Sequence, residues 1–317
     1  MRNDETIQIV ICVDDNYLIP TVALLNSICE TNSGTCFMFH IVTSQAFEAH
    51  NKDLLSETIV RNGAKGHIYS FDNQTADELP VMKLHQPKHI TVSAYYRLFL
   101  SRILPDVIDK VIYLDCDIIV NSSIKELWNI DISEYAVGVV PDMDEGNLNI
   151  YRRLKYAPSY GYFNSGVLLV NLKYWREHDL LNSFLQFWRD YPERVVYHDQ
   201  DILNCVLKDH KQLLPIKFNV QTPALYKSVN ISWEYDVELE EALRSPVIIH
   251  YTTCDKPWIR DCQHPWKGLF YKYLRGLPVP KALKKKTGGK KSVYQHLRLV
   301  LIRLKILDTH MSFREDL

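Results

Sequence analysis

The strongest constraint on the fold of this chain is the repeated alternation of short apolar runs with segments of helical periodicity. The apolar runs, which predict buried strands, lie at 7–13, 36–42, 66–69, 110–114, 136–140, 167–172 and 247–250. The segments with helical spacing lie at 21–30, 47–62, 92–104, 174–191 and 201–207. Strands that alternate with helices are typical of βαβ units, in which the strands are mainly parallel. The sequence therefore predicts one α/β domain with a mixed, mainly parallel sheet.

The distribution of charge divides the chain into an acidic body and a basic tail. The formal net charge is −1 over 317 residues. Between Gln263 and Leu307, Lys and Arg number 12, while Asp and Glu are absent. We therefore predict a globular domain over 1–265, followed by a basic, amphipathic helical tail over 266–317.

The tail has the pattern of a helix that lies on a membrane surface. Six lysines between 281 and 291 precede apolar residues at helical spacing from Val293 to Leu307. A basic residue near an anionic leaflet contributes about 1 kcal/mol to binding, and a helix of this kind lies in the interface without crossing it. We expect peripheral binding to an anionic membrane. Packing of the helix on the acidic body is the alternative, and the lack of a recognisable reader fold disfavours nucleic acid as a partner.

Cysteine usage and hydropathy predict a protein that stays in the cytoplasm, on the inner face of the cell membrane. The seven cysteines are scattered without a Cys-x-x-Cys pair, so neither a zinc knuckle nor a disulfide framework is expected. The N-terminus lacks the basic region and cleavage site of a signal peptide. Apolar stretches fall short of the roughly 20 residues that span a bilayer.

Polar side chains follow three of the predicted strands. Residues 14–16 follow the first strand, Asp115 and Asp117 follow a later one, and His250 ends the last. Ligands of open parallel sheets bind beyond the carboxyl ends of the strands. Two carboxylates at this spacing repel each other, and a divalent cation relieves the repulsion; oxygen ligands suit Mg²⁺ or Mn²⁺, and an added imidazole favours Mn²⁺. A capped turn is the alternative interpretation of such a cluster.

An Asp-x-Asp sequence after an apolar strand has two enzymatic interpretations. In phosphatases of the haloacid dehalogenase type, the first Asp is the nucleophile, and Thr or Val is expected where Ile119 stands. In nucleotide-sugar glycosyltransferases, the pair holds a metal ion on the diphosphate. The motif alone does not separate the two.

Six segments, in order along the chain, resemble motifs of the family 8 glycosyltransferases, the retaining group that includes bacterial lipopolysaccharide galactosyl- and glucosyltransferases. They are Asp14-Asp15-Asn16-Tyr17 within 10–17, Tyr95-Tyr96-Arg97 within 89–98, Asp115-Cys116-Asp117 within 113–117, Asn164-Ser165-Gly166 within 162–167, His198-Asp199-Gln200-Asp201 within 198–204, and His250 to Trp258. The resemblance covers about 7–266. It implies a Rossmann-like fold of the glycosyltransferase A type, with the domain over 1–265 as the catalytic one.

The resemblance also implies how the metal ion and the nucleotide are bound. Asp115, Asp117 and His250 would bind Mn²⁺ or Mg²⁺, which stabilises charge on the leaving nucleotide, and Lys256 would contact the same phosphates. The segments around the nucleotide contribute further residues. They are Cys12, Asp14, Asn16, Tyr17, Cys116 and Thr253, of which Asp14 and Asn16 would contact uridine. Thr253 stands where the family often has Gly, a departure in the loop that closes over the ligand.

For the sugar and the acceptor, the resemblance implies a second set of residues. Arg97, Asn164, Asp199 and Gln200 would hold the hydroxyl groups of the sugar, with Gln200 beneath the anomeric carbon. The candidate catalytic residues are therefore Gln200, Asp199 and Arg97. His89 and Asp142 would face the acceptor.

The sequence thus predicts a retaining, metal-dependent hexosyltransferase that transfers galactose or glucose from a UDP-sugar to a saccharide or glycolipid acceptor. Because no Asp or Glu is readily assigned to the β-face of the sugar, a front-face mechanism is favoured over a covalent adduct on Asp199. The alternative from another class is a non-catalytic sugar-nucleotide-binding or membrane scaffold protein of the same fold, which would have no need for every metal ligand.

Overall fold

The computed structural model describes residues 6–71, 92–259, 262–274 and 313–314, and its main feature is a seven-stranded sheet. In chain order, the strands are β1 (Ile7–Cys12), β2 (Phe37–Ser44), β3 (Lys65–Phe71), β4 (Lys110–Leu114), β5 (Ile118–Val120), β6 (Val137–Pro141), β7 (Phe163–Asn171), β8 (Lys211–Leu213), β9 (Val220–Gln221) and β10 (Ile248–His250). The main sheet has the order β3-β2-β1-β4-β7-β6-β8. β7 is antiparallel to both of its neighbours, and the remaining pairs are parallel. The predicted mixed, mainly parallel sheet is confirmed.

Helices cover both faces of this sheet, which explains why the central strands β1, β4 and β7 are buried along almost their whole length. The α-helices are α1 (Leu18–Thr31), α2 (Ala49–Arg61), α3 (Leu100–Ile103), α4 (Lys125–Trp128), α5 (Leu148–Leu154), α6 (Leu172–Glu177), α7 (Leu180–Asp190), α8 (His198–Leu207), α9 (Asp236–Arg244) and α10 (Lys267–Lys272). Alternate residues of β1 belong to two different core clusters, with Ile9 on the α1 and α2 side and Val10 on the α7 and α8 side.

A small second sheet brings the last predicted strand to the carboxyl end of β4. Its order is β5-β10-β9, with β10 antiparallel to β5 and parallel to β9. In this register His250 lies opposite Ile118, and the Tyr251 amide donates to the Asp117 carbonyl at 2.9 Å. The pairing therefore holds His250 beside the two carboxylates that follow β4.

The segment 92–104 differs from the single helix that its apolar spacing predicts. It forms a 3₁₀ helix over Val92–Phe99 and then the short helix α3. Residues three apart lie on the same side of a 3₁₀ helix, and Arg97 Nε indeed donates to the Ala94 carbonyl at 2.9 Å. The tighter winding directs Arg97 into the molecule.

The helix predicted at 174–191 is divided into α6 and α7. Asp179 lies between them with φ of 47°, in the left-handed region that Asp tolerates better than most residues. The prediction also lacked β5, β8 and β9, which have only two or three residues each and leave little periodicity to detect.

The start of the basic tail packs on the body. Phe270, Tyr273 and Leu274 are buried in the same core cluster as Ile9 of β1, and Asn26 donates to the Tyr273 carbonyl at 2.8 Å. The predicted division at 265 precedes these residues. The lysine cluster and amphipathic segment at 281–307, like His89, lie outside the described residues.

Two residues near the C-terminus also contact the body. Phe313 forms an antiparallel bridge with Tyr226, and the Arg314 amide donates to the Leu225 carbonyl at 2.9 Å. The Arg314 guanidinium also pairs with Glu240. Within the described ranges, none of the helices has the length and apolar character that crossing a bilayer requires.

Candidate active site

A cavity of about 350 Å³ opens at the edge of the main sheet where β1 and β4 end. The lining includes most residues of the predicted nucleotide, sugar and metal sets. These are Cys12, Asp14, Tyr17, Arg97, Asp115, Cys116, Asp117, Asn164, Asp199, Gln200 and His250. Six segments spread over 239 positions from Cys12 to His250 thus contribute to one site. Its place agrees with the rule that ligands of α/β sheets bind beyond the carboxyl ends of the strands.

The three predicted metal ligands meet at one end of this cavity. One ligand atom each from Asp115, Asp117 and His250 lies within 4.8 Å of the others. His250 Nε2 is 3.2 Å from Asp117 Oδ1 and 3.8 Å from Asp115 Oδ2. Two carboxylates and an imidazole nitrogen form a donor set that suits Mn²⁺ and, less well, Mg²⁺. The residues present therefore fit a divalent cation.

A chain of amide side chains determines which nitrogen of His250 faces the carboxylates. Asn164 Oδ1 accepts from the Gly166 amide at 3.0 Å and from Asn219 Nδ2 at 2.9 Å. Asn219 Oδ1 is therefore free to accept from His250 Nδ1, which lies 3.0 Å away. With its proton on Nδ1, the ring presents Nε2 to the carboxylates, as outer-shell partners do for metal-binding histidines.

Gly166 is required at this point because its backbone lies against two of the metal ligands. A Cβ atom there would be 2.1 Å from His250 Cε1 and 2.8 Å from Asp115 Oδ2. The Gly166 carbonyl also accepts from the Asp115 amide at 2.8 Å. Any side chain at this position would displace the imidazole or the carboxylate.

Lys256 supplies positive charge beside the carboxylates. Its Nζ donates to Asp117 Oδ2 and to the Tyr251 carbonyl. Burial favours a raised pKa for Asp117, but the neighbouring Lys256 and His250 outweigh burial and hold this pKa below its usual range. Asp117 is therefore ionised at neutral pH.

Arg97 joins the metal end of the cavity to the sugar end. Arg97 is 5% exposed, and its Nη2 lies 2.8 Å from Asp115 Oδ1 while its Nε lies 3.1 Å from Asp199 Oδ2. Nη1 donates to the Ser165 carbonyl at 2.7 Å, and the guanidinium lies over the Tyr113 ring, 4.5 Å from its centre. With its nitrogens engaged by protein groups, Arg97 is placed to position its neighbours.

At the sugar end, three polar side chains form a connected group. Gln200 Nε2 donates to Asp142 Oδ2 at 3.0 Å, and Gln200 Oε1 accepts from the Ser165 amide at 3.1 Å. Asn164 Nδ2 lies 3.2 Å from the same Asp142 oxygen. Gln200 lies in the first turn of α8, whose first residue, His198, has φ of 53°. Such strain at a loop-to-helix junction is frequent in functional sites.

Asp199 is the buried carboxylate of the sugar end. Ser165 Oγ donates to Asp199 Oδ2 at 3.0 Å, the oxygen that also faces Arg97. Burial raises the pKa of Asp199 to about 6, against the opposing effect of Arg97 and with a further rise from Asp115. One oxygen of Asp199 is thus already engaged on two sides.

The end of β1 forms the opposite wall of the cavity. Asp14 Oδ1 accepts from the amides of Asn16 and Tyr17, at 2.8 and 3.2 Å, so its carboxylate also caps a turn. The Cys116 thiol donates to the Cys12 carbonyl at 3.1 Å. Burial raises the pKa of both thiols well above the usual range, so neither is a thiolate at neutral pH.

Some predicted site residues lie beside the cavity and do not line it. Lys256 and Asp142 reach it through their bonds to Asp117 and Gln200, respectively. Asn16 is exposed, and Thr253 accepts from the Asp255 amide at 3.3 Å while its neighbour Thr252 lines the cavity.

The prediction missed several residues that hold the site together. Ser165, Tyr113 and Gly166 lie inside the quoted motifs, next to the residues that were chosen. Asn219 had no local signal, because it follows a 3₁₀ turn in a segment without a motif, and only the pairing of β9 with β10 brings it to His250.

Comparison with known proteins identifies the group to which this chain is similar. The family model for glycosyl transferase family 8 matches residues 8–262. General stress protein A of Bacillus subtilis is 28% identical over 278 residues, which cover 86% of this chain and 95% of that protein. Lipopolysaccharide 1,2-glucosyltransferase of Escherichia coli is 30% identical over an alignment of 322 positions, which covers 96% of this chain and 88% of that protein.

A solved structure extends the likeness to the fold. The galactosyltransferase LgtC, crystallised with donor and acceptor sugar analogues, superposes with a TM-score of 0.77 at 26% identity, covering 87% of this chain and 98% of that one. The predicted family and the predicted fold class are both confirmed. With a cavity that holds the motifs of this family in one place, and with a family match over most of its length, the chain belongs to glycosyl transferase family 8.

Proposed function

We propose that this protein is a retaining, metal-dependent hexosyltransferase that transfers galactose or glucose from a UDP-sugar to a saccharide acceptor, in the synthesis of lipopolysaccharide or another surface glycan. The observation that carries the proposal is the union, in one cavity, of the Asp115, Asp117 and His250 cluster with the group around Gln200. The similarity to a glucosyltransferase of lipopolysaccharide and to the galactosyltransferase LgtC supports the same substrate class.

The metal end of the cavity would bind the diphosphate of the donor. Asp115, Asp117 and His250 would hold Mn²⁺ or Mg²⁺, which when bound supplies positive charge against the phosphate oxygens. Lys256, already beside Asp117, would add a point charge to the same group. Asp14, on the β1 side, would contact the nucleoside with the carboxylate oxygen that does not cap the turn.

The sugar end would hold the hexose and the acceptor. Asn164, Asp199 and Gln200 would contact the sugar hydroxyl groups, with Gln200 below the anomeric carbon. Asp142 shares hydrogen bonds with both amides and would orient the acceptor hydroxyl from the far side of this group. Arg97 would act on the sugar by fixing Asp199 and Ser165.

Retention of configuration would follow a front-face course, in which the leaving phosphate accepts the proton of the acceptor hydroxyl. The support lies in Asp199, the residue considered as the nucleophile of a covalent mechanism. Its Oδ2 accepts from Ser165 Oγ at 3.0 Å and pairs with Arg97 Nε at 3.1 Å. A carboxylate oxygen engaged in this way is a weak nucleophile.

The direct test is release of UDP from UDP-galactose and UDP-glucose, with and without divalent metal. Chelation should abolish release, and Mn²⁺ should restore it better than Ca²⁺, because Ca²⁺ prefers more oxygen ligands at longer distances. Full turnover in the presence of chelator would overturn the metal assignment. Binding of the donor without release would favour the scaffold alternative, and inorganic phosphate as product would favour the phosphatase.

A matched pair of variants separates the site from general effects of charge. Asp117→Asn should abolish UDP release while the domain still melts cooperatively. Asp106→Asn, at a carboxylate that is 96% exposed and distant from the metal end, should retain release. Equal activity of the two variants would contradict the assignment of Asp117.

We also propose that the protein works at the cytoplasmic face of the membrane through its basic tail, with residues 267–274 kept in the catalytic body. Replacing the lysines at 284–286 and 290–291 with Gln should abolish binding to phosphatidylserine vesicles. Binding of the unchanged protein should weaken as salt rises. Equal vesicle binding by both proteins would contradict a membrane role for the tail.

A further inference from the structure

A buried ion pair lies behind the sugar end of the catalytic cavity. It joins Arg153 of α5 to Asp201 of α8, and neither residue lines the cavity. Nη1 of Arg153 donates to Asp201 Oδ2 at 2.6 Å, and Nη2 donates to Oδ1 at 3.0 Å. The Asp201 side chain is fully buried, and that of Arg153 is 21% exposed. Two parallel hydrogen bonds of this kind fix the orientation of both groups.

The Asp201 carboxylate uses its whole accepting capacity within the protein. Besides the guanidinium, its Oδ2 accepts from the amides of Val196 and Tyr197, at 2.7 and 2.6 Å, and its Oδ1 accepts from Tyr162 Oη at 2.8 Å. An ionised carboxylate offers about four lone-pair sites, and the donors already in contact fill them. Asp201 therefore joins segments of the protein to one another and leaves no oxygen for a ligand.

The backbone that Asp201 holds leads into the strained first residue of α8. Val196 and Tyr197 directly precede His198, whose φ of 53° lies in the left-handed region. A residue other than glycine keeps such a conformation only where the surrounding contacts fix it. The Asp201 carboxylate fixes the two residues before His198, and the Tyr95 hydroxyl lies 2.9 Å from His198 Nδ1. The path of the chain into α8 therefore depends on Asp201.

That path places the two α8 residues that are assigned to the sugar. Asp199 and Gln200 are the second and third residues of α8, so a change at its first residue moves both. Their side chains bond to the amide and hydroxyl of Ser165 at 3.1 and 3.0 Å, respectively for Gln200 and Asp199. A misplacement of about 1 Å in such a group can lower a rate about 100-fold.

Arg153 supplies the positive charge that balances Asp201 in this buried place. Removing one partner of a buried pair leaves an uncompensated charge, which strongly favours rearrangement of the other. Nη1 of Arg153 also donates to the Arg194 carbonyl, and its guanidinium carbon lies 5.3 Å from the centre of the Tyr197 ring. Arg153 thus contacts both ends of the segment 194–197 as well as the carboxylate that holds it.

We propose that Arg153 is a positioning residue for the transfer: by holding Asp201, it fixes the strained entry into α8 and so places Asp199 and Gln200 at the donor sugar. This role rests on the proposed function, since it concerns the same reaction. Arg153 itself does not contact the cavity and acts through Asp201.

The metal end of the cavity should not depend on Arg153. Asp115 and Asp117 follow β4, and His250 ends β10, so none of the three candidate ligands comes from α5 or α8. Loss of Arg153 should therefore lower kcat and leave the requirement for Mn²⁺ unchanged. A merely structural role would not separate these two quantities.

The kinetic test uses a matched pair of arginine variants in the full chain. Arg153→Met keeps much of the length of the side chain and removes its charge and its hydrogen bonds to Asp201. Arg152→Met is the control, at an exposed arginine of the same helix that donates to Asn149 Oδ1 at 3.2 Å. We expect kcat for UDP release to fall at least about ten-fold in Arg153→Met and to change less than about two-fold in Arg152→Met.

Two further measurements in the same assay keep the positioning role distinct from a loss of folding. Each variant is assayed below the onset of its own melting, and Mn²⁺ is titrated. Arg153→Lys should recover part of kcat, because an ammonium group restores the charge but not the paired hydrogen bonds. Equal kcat in Arg153→Met and Arg152→Met would overturn the proposal. A parallel loss of kcat and Mn²⁺ affinity, or no recovery in Arg153→Lys, would also contradict it.

Amide hydrogen exchange separates failure of this proposal from failure of the proposed function. It reports on the amides of Val196 and Tyr197 whether or not a UDP-sugar is turned over. Faster exchange there in Arg153→Met than in Arg152→Met would show that the ion pair fixes the entry into α8, even if the unchanged protein released no UDP. Release of UDP by the unchanged protein, with equal exchange in the two variants, would overturn the positioning role and leave the proposed function standing.

Discussion

Two buried histidines with similar immediate partners lie in different parts of this molecule. His250 and His40 are both 3% exposed, and each has one ring nitrogen bonded to a carboxamide oxygen, from Asn219 at 3.0 Å and from Gln8 at 2.9 Å. They differ at the other nitrogen. That of His250 faces two carboxylates, whereas that of His40 bonds to the hydroxyl of Tyr69 at 3.0 Å.

The difference shows what turns a buried histidine into a ligand. At His40 both nitrogens have neutral partners, and burial, aided by His67, lowers the pKa to about 4, so the ring is neutral and structural. At His250 the amide holds one nitrogen and leaves the other among oxygen atoms that a cation would share. Burial alone does not distinguish the two histidines.

The largest expected effect is on UDP release, when the imidazole ring of His250 or of His40 is removed. His250→Ala should lower UDP release by more than the roughly 10–100-fold typical of a lost outer-shell partner, because it deletes a ligand. His40→Gln, which can still hydrogen-bond inside the sheet, should retain release near that of the unchanged protein. Steady-state kinetics at saturating Mn²⁺ checks both. A similar loss of UDP release in the two variants would contradict the assignment of His250 as a metal ligand and of His40 as a structural residue.

A smaller effect is expected when the carboxamides are removed instead. Asn219→Ala frees the His250 ring to rotate and to change tautomer, so Mn²⁺ affinity should fall about 10–100-fold. Gln8→Ala, the matched variant at His40, should leave Mn²⁺ affinity unchanged. Titration of UDP release with Mn²⁺ measures both. Unaltered affinity in Asn219→Ala would mean that β9 and β10 hold the ring unaided.

The smallest effect concerns acid stability at His40. Because its pKa is lower in the folded protein than the ordinary 6.5, its contribution to stability is present above 6.5 and is lost as the pH falls towards about 4. A proton bound only by the unfolded chain costs about 1.4 kcal/mol of stability per pH unit. The fall in Tm from pH 6.5 to pH 4 should therefore be shallower in His40→Gln, and an unchanged slope would contradict the assignment.

The sequence predicted what depends on local pattern. Apolar runs located β1 and β4, and the polar residues that follow them led to Asp14, Asp115 and Asp117. Residue type and motif order supplied His250 and Gln200. These features are visible in segments of ten residues or fewer, and the structure brings them into one cavity.

What depends on tertiary pairing was not predicted. Asn219 acquires its role only because two-residue β9 pairs with β10. The assignment of Arg97 to the sugar stays a prediction, but its contacts with Asp115, Asp199 and Ser165 depend on the 3₁₀ winding of its segment and were not predicted. The sequence around such a residue does not show which distant residues it contacts in the folded protein.

The bridge between Phe313 and Tyr226 limits how far the segment between Leu274 and Phe313 can extend from the body. Leu274 is buried in the body and Phe313 is paired to it, so about 38 residues connect two fixed points. A segment fixed at both ends can extend from the body by no more than half of its contour length. At 3.3–3.6 Å per residue, that limit is about 65 Å here. The Phe313 ring also lies 5.9 Å from His264, which is 4.7 Å from Tyr251, the neighbour of His250. Ring contacts through His264 and Tyr251 thus connect the C-terminal end of this segment to the residue next to His250.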